Sequence, residues 1–170
     1  MKLLDLIHVN ANDVKDLNEY ESARLLDKLF RYEFENNSLE VSCLTFSSDP
    51  KIKDQGIDAV ITKALPTGLN ILPAGISIFQ FKASKQVFNV KKEFCKKSLA
   101  NNEWYLKPLL KEFLEKGATY VLINTREVWN YAQKEDRKKK IKNELNKIDN
   151  ELEFPIEIYT AEKFRRNILK

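Results

Sequence analysis

The chain has 170 residues, 43% of them hydrophobic and 32% charged, with a mass of 19.9 kDa; this is the size and balance of one domain able to bury a core. No apolar run approaches the ~20 residues of a membrane span, and Asp5 comes too early for a signal peptide, so a cytoplasmic protein with no membrane partner is expected. Two cysteines, Cys43 and Cys95, and the single His8 cannot complete a zinc site or a histidine-based catalytic centre, and the net charge of +4 favours a polyanionic partner only weakly.

Residues 1–15 show no clear periodicity and read as a lead-in. A helix begins near Asn18, a capping residue with Glu21 three positions on in the capping-box place. Leu25, Leu26, Leu29, Phe30, Glu33 and Phe34 trace its apolar stripe at helical spacing. The acid on that stripe, Glu33, is either at a frayed helix end or turned into a site. Residues 41–46 read as a strand, closed by the turn chemistry of Ser47-Ser48-Asp49-Pro50. Two more strands, 57–64 and 76–83, are joined by a loop holding Pro66, Gly68, Pro73 and Gly75. Basic helical sequence follows over 89–99. Pro108 suits the first turn of a helix running to Lys116 and ended by Gly117.

The continuous apolar run 119–123 is of the kind found in buried strands. A long charged helix is expected over 129–148, and Pro155 opens a short strand over 156–159. Thr160 is placed to cap a last helix over 161–169. The order α-β-β-β-α-α-β-α-β-α predicts a single α/β domain over 1–170, a mixed sheet flanked by helices. Trp104, Tyr105, Trp129 and Tyr131 read as core aromatics in preference to base-stacking ones.

Three polar residues stand where apolar ones belong. Asp58 interrupts Ile57, Ala59, Val60 and Ile61, and Gln80 and Lys82 end the run Ile76-Ser77-Ile78-Phe79-Gln80-Phe81-Lys82. Strand side chains alternate between faces, so Gln80 and Lys82 share a face with Ile76 and Ile78, and Phe79 and Phe81 share the other. A lysine on so apolar a strand needs a partner, and in a hairpin Asp58 is placed to supply one. A carboxylate, an amide oxygen and an ammonium at one end of a hairpin suit a hard divalent cation beside a phosphate.

This pattern, Gly56-Ile57-Asp58 followed by Gln80-Phe81-Lys82, resembles the Gly-x-Asp … Gln-x-Lys variant of the PD-(D/E)xK nuclease superfamily, in particular its Mrr-like restriction endonuclease branch. The resemblance extends along nearly the whole chain. It takes in a glutamate on the opening helix, Asp54-Gln55-Gly56-Ile57-Asp58, Lys107-Pro108, residues 120–125 and residues 159–162, in that order. Gln55 departs from the glycine usual at its place.

The resemblance implies a restriction-endonuclease-like fold and Mg²⁺-dependent endonucleolytic cleavage of DNA, with Mn²⁺ as a substitute. It implies Asp58, Gln80, the Phe81 backbone carbonyl and Glu33 as metal ligands, and Lys82 as the residue acting on the attacking water and the transition-state charge. DNA, double-stranded by this reading, is the implied partner. Lys85, Lys91 and Lys92 follow the candidate site and are placed to meet phosphates. A solvated helix face is the other reading of Lys91 and Lys92, as it is of the run Arg137, Lys138, Lys139, Lys140 and Lys142. Such modules open bacterial antiphage effectors, including STAND NTPases and nucleotide-activated nucleases, in which sensor or oligomerisation domains follow. An oligomeric active state is implied by the same resemblance. A repair or junction-resolving nuclease and a catalytically silent binding domain of the same fold remain as alternatives.

Overall fold

The computed structural model describes residues 11–46, 56–83 and 89–168, with side chains from 14 to 164. Helices α1 (Ala11–Asp16) and α2 (Glu19–Asn36) open the fold and a single 3-10 turn (Val41–Cys43) leads into β1 (Leu44–Phe46). Strands β2 (Ala59–Leu65) and β3 (Gly75–Lys82) form a hairpin. Then come α3 (Val90–Phe94), β4 (Cys95–Lys97), β5 (Trp104–Leu106), α4 (Pro108–Glu115), β6 (Thr119–Asn124), α5 (Tyr131–Asn146), β7 (Ile156–Thr160) and α6 (Ala161–Ile168).

The main sheet has the order β1-β2-β3-β6-β7. Its first three strands are antiparallel, and β3, β6 and β7 are parallel. The expected mixed sheet flanked by helices is therefore present. Alternation along the strands divides the core into two layers. Phe79, Phe81, Val121 and Ile123 face one layer with Phe30, Phe34 and Leu26 of α2 and Phe164 of α6. Ile78, Tyr120, Leu122 and Ile158 face the other with Phe94, Leu110, Ile141 and Leu145 of α3, α4 and α5. β6 is buried along its whole length, as its unbroken apolar run requires.

Several elements differ from the sequence expectation. The lead-in contains α1, whose Val14 is buried in the first core layer. Only the second half of 41–46 is extended. The basic stretch 89–99 is not one helix. Asn89 caps a five-residue helix through the Lys92 N–H, and Cys95 then turns extended to pair with Leu106. Burial of Phe94 and Cys95 against Tyr120 and its neighbours outweighs the helix propensity of the flanking lysines. Thr160 is the last residue of β7 rather than a cap, and its buried hydroxyl has no partner among the described residues. The predicted capping box at Asn18 is formed in both directions with Glu21, and Pro108 occupies the first turn of α4. The turn at Ser47–Pro50 and the helix end at Leu169 lie outside the described residues.

Candidate active site

The site lies where β2 begins and β3 ends. Ala59 pairs with Phe79, and the Asp58 N–H donates to the Phe79 carbonyl at 2.8 Å. Just beyond the paired residues the Phe81 N–H has no backbone acceptor across the hairpin, and Asp58 Oδ2 accepts it at 2.6 Å. One carboxylate thus ends one strand and satisfies the next, a role that buried backbone groups demand. Among the described residues nothing donates to its other oxygen.

Burial pushes the Asp58 carboxyl up to about 6, against the opposing pull of the Phe81 N–H and the Lys82 ammonium; Glu93 and Glu19 add to the rise. Burial and the two nearby acids disfavour the ionised form, which a bound cation would favour.

Gln80 is 3% exposed and faces the second core layer, as strand alternation predicts. A buried amide is costly unless bonded, and both of its ends are held. The Tyr120 hydroxyl donates to Oε1, and Nε2 donates to Glu93 Oε2 at 2.6 Å. Burial, with Glu93 and Asp58 nearby, holds the Tyr120 hydroxyl far above the usual phenol range, so it stays a donor. Lys82 shares that face, and its Nζ lies 2.8 Å from Glu93 Oε1. The partner that Lys82 needs is therefore Glu93, and Asp58 acts on it only through charge.

Glu93 is the residue that sequence reasoning missed. It is the only acid between Lys82 and Glu103 and sits between the pairs Lys91-Lys92 and Lys96-Lys97, a signal that reading the stretch as uniformly basic obscures. Its backbone is also fixed, because Lys107 Nζ donates to the Glu93 carbonyl at 2.5 Å. Burial lowers the Lys107 pKa. Gly56 completes the contact. It has φ +80°, and a Cβ there would lie 2.4 Å from the Glu93 carbonyl oxygen. The glycine of Gly56-Ile57-Asp58 thus lets the chain pass against α3 and deliver Asp58.

Asp58, Gln80, Lys82 and Glu93 come together; Glu33 does not join them. It is 7% exposed, near the end of α2, and its Oε1 accepts from Asn70 Nδ2 at 3.1 Å in the loop between β2 and β3. That loop is at the far end of the hairpin from Asp58. The acid that α2 brings toward Asp58 is Glu19, in its first turn. Fourteen residues at 1.5 Å rise separate the two, roughly 20 Å along the helix. Glu33→Gln should leave any cleavage rate within about two-fold of the parent, because the amide can still bond to Asn70. A loss of ten-fold or more at unchanged melting temperature would return Glu33 to the site.

Lys91 is half-buried and Lys92 is exposed; the Glu144 carboxyl of α5 is held low by its bond to Lys147, and the Lys91 charge adds to that. Lys85, His8, Asp54 and Gln55 lie outside the described residues. On α5 the basic run is largely a solvated face: Lys138 pairs with Glu135 and Glu157, and Arg137 lies over the Trp129 ring. Residues 120–125 tie β6 to the site. The Thr125 N–H donates to the Lys82 carbonyl, and the Thr125 hydroxyl meets Ser22 of α2 at 3.3 Å.

No family model, curated protein or solved structure matches this chain. The likeness to the Mrr-like nucleases rests on the residues named above.

Among the described residues no three His, Cys, Asp or Glu side chains gather closely enough to cage a metal by themselves. Mg²⁺ does not require such a cage, since it keeps several waters and binds through one or two carboxylates and the phosphates of its substrate. Asp58 has an oxygen available, and the Phe81 carbonyl leaves β3 on the same side as the N–H that Asp58 accepts. This donor set fits a hard dication completed by phosphate and water.

The folded pKa of Asp58 lies above its unfolded one, so folding favours the protonated form. The protein should lose stability as pH rises from about 4 to about 6 and then level off, by at most about 3 kcal/mol. Asp58→Asn, which keeps an acceptor for Phe81, should remove that slope and melt higher at pH 7. Added Mg²⁺ should raise the melting temperature of the parent at pH 7 through mass action, and leave Asp58→Asn unmoved. Equal Mg²⁺ shifts in both proteins would remove Asp58 as a ligand.

Proposed function

We propose that the protein is a metal-dependent DNA endonuclease domain, the effector part of an antiphage system. The observation that carries this reading is the convergence of Asp58, Gln80 and Lys82 at the end of one hairpin, on an α/β sheet of the expected kind. In this reading Asp58, the Phe81 carbonyl and the Gln80 amide oxygen would hold the cation. A bound Mg²⁺ supplies an acidified water and neutralises charge on the phosphoryl oxygens.

The chain's own residues do the rest. Gln80 brings a neutral oxygen where a second carboxylate stands in other branches, so it attracts a dication less. One unit-charge pair at ~4 Å is worth roughly 4 kcal/mol at an effective dielectric near 20, before desolvation, and a DNA phosphate is the natural replacement. Lys82 is held in place by its salt bridge to Glu93. It therefore orients the water and stabilises the charge that develops on the phosphoryl group, and the water's proton goes to solvent or to phosphate. Glu93 holds both Lys82 and Gln80, and Lys107 and Gly56 fix Glu93.

A silent binding domain of the same fold has one observation in its favour. Glu93 occupies both the Lys82 ammonium and the Gln80 amide. Incubation with supercoiled plasmid, linear duplex, four-way junction and single-stranded DNA, each in Mg²⁺ or EDTA, separates the readings. Cleavage in Mg²⁺ alone supports the nuclease, junction-restricted cleavage supports a resolving enzyme, and binding without cleavage in any assembly state supports the silent domain.

A further inference from the structure

A second feature lies along the same edge of the sheet. The parallel register sets Lys82 beside Asn124 and Asn124 beside Thr160, so the C-terminal ends of β3, β6 and β7 share one rim. Arg126 Nε bonds the Ala83 carbonyl at 2.9 Å and ties the end of β3 to the chain leaving β6. Open α/β sheets bind ligands outside the carboxyl ends of their strands. On this rim a groove of about 660 Å³ is lined by Val128, Trp129, Tyr131, Lys134, Glu162 and Lys163.

The aromatics here are not all core. Tyr131 is 80% exposed, and the aliphatic Val128 near it is 44% exposed. Trp129 packs against the second core layer with Arg137 over its ring at 5.0 Å, while Lys163 lies 5.1 Å from the Tyr159 ring centroid. Tyr131 is the first residue of α5, but the helix start is already capped, since Asn130 and Gln133 bond each other reciprocally. Among the described residues its ring therefore serves no capping or packing purpose. Two cations against one acid line the groove, and α5 carries six basic and three acidic residues. Exposed aromatic rings in a basic groove are the means by which single strands are held, because every base offers a π-face.

We propose that this groove stacks an unpaired nucleotide on Tyr131, so that the substrate is DNA with a single-stranded segment reaching from the site along the β3-β6-β7 rim. The inference deepens the nuclease reading by naming a substrate class and rests on it for its purpose, but binding can be measured without cleavage. The chain has two tryptophans, Trp104 and Trp129, so Trp104→Phe leaves Trp129 as the sole reporter. That protein is titrated in EDTA with oligo-dT of about 12 nucleotides and with a blunt duplex of equal length, while anisotropy of the labelled DNA follows binding.

Oligo-dT should change Trp129 emission as it binds, and low salt should strengthen the binding. Tyr131→Ala should weaken it by roughly 5- to 150-fold, the equivalent of one stacked base at ~1–3 kcal/mol. Val128→Asp, which puts an anion into the groove, should weaken it as well, and circular dichroism confirms that each variant folds. Unchanged oligo-dT affinity in folded Tyr131→Ala, Trp129 emission that stays constant while anisotropy saturates, or an equal, Tyr131-independent response to duplex would overturn the proposal. Normal oligo-dT binding with no cleavage in Mg²⁺ would sink the nuclease reading and leave this groove standing. The reverse pattern would do the opposite.

Discussion

Lys82→Ala should abolish DNA cleavage while leaving DNA affinity nearly intact. Lost transition-state electrostatics cost 10²-fold or more in rate, whereas one phosphate contact changes the slope of log affinity against log salt by only ~0.9. The variant should also be less stable than the parent. A bare ammonium on an apolar strand would be better removed, but Lys82 is paired with Glu93 at 2.8 Å. Removing it leaves a half-buried carboxylate without its cation. Lys82→Ala with Glu93→Ala should recover part of that stability and none of the rate. A double variant as active as the parent would show that the pair is structural only. The assay is run on the protein alone and on protein clustered through a fused dimerising coiled coil, so that an assembly requirement does not masquerade as an inactive site.

Gly56→Ala should be the most damaging single-methyl change in the site. Two costs combine there. A φ of +80° disfavours any residue with a Cβ, by about 1–3 kcal/mol, and the added methyl would stand 2.4 Å from a backbone oxygen that Lys107 holds in place. A melting-temperature drop of roughly 5–10 °C is expected for a chain of this size, together with loss of cleavage as Asp58 is displaced. Gly117→Ala is the control. Its φ is +77° but its Cβ meets nothing within 4 Å, so it should cost the strain alone and spare activity. Equal effects of the two substitutions would show that the approach to α3 carries no weight.

Most of the framework was legible in the sequence because it follows local rules. The capping box at Asn18, the Pro108 helix start, the buried strand Thr119–Asn124 and the parity of Phe79, Gln80, Phe81 and Lys82 each depend on a few neighbouring residues. Strand parity and hairpin order also sufficed to bring Asp58 toward Gln80 and Lys82. What failed depends on distant partners. Glu33 lies on the apolar stripe of α2 because Asn70 takes its carboxylate, not because it faces the site. Periodicity tells which face of a helix is buried but not which end of it meets a given strand. Glu93 was hidden for a related reason. A lysine-rich stretch reads as an exposed helix, and nothing local says that Phe94 and Cys95 break it by burying into the second core layer. Tyr131 was assigned to the core by residue type alone, and its exposure became visible only once α5 was placed at the rim.

The central claim is that Asp58, Gln80 and Lys82 form a metal-dependent phosphodiester-cleaving site. It is tested on supercoiled plasmid and on a duplex carrying a single-stranded gap, incubated with the clustered protein in Mg²⁺, beside EDTA and beside Asp58→Ala. Conversion of at least one of them is expected from the parent in Mg²⁺ and none in either control. Conversion by Asp58→Ala at the parent's rate, or no conversion by folded, clustered, DNA-binding parent protein in Mg²⁺ or Mn²⁺, would contradict it.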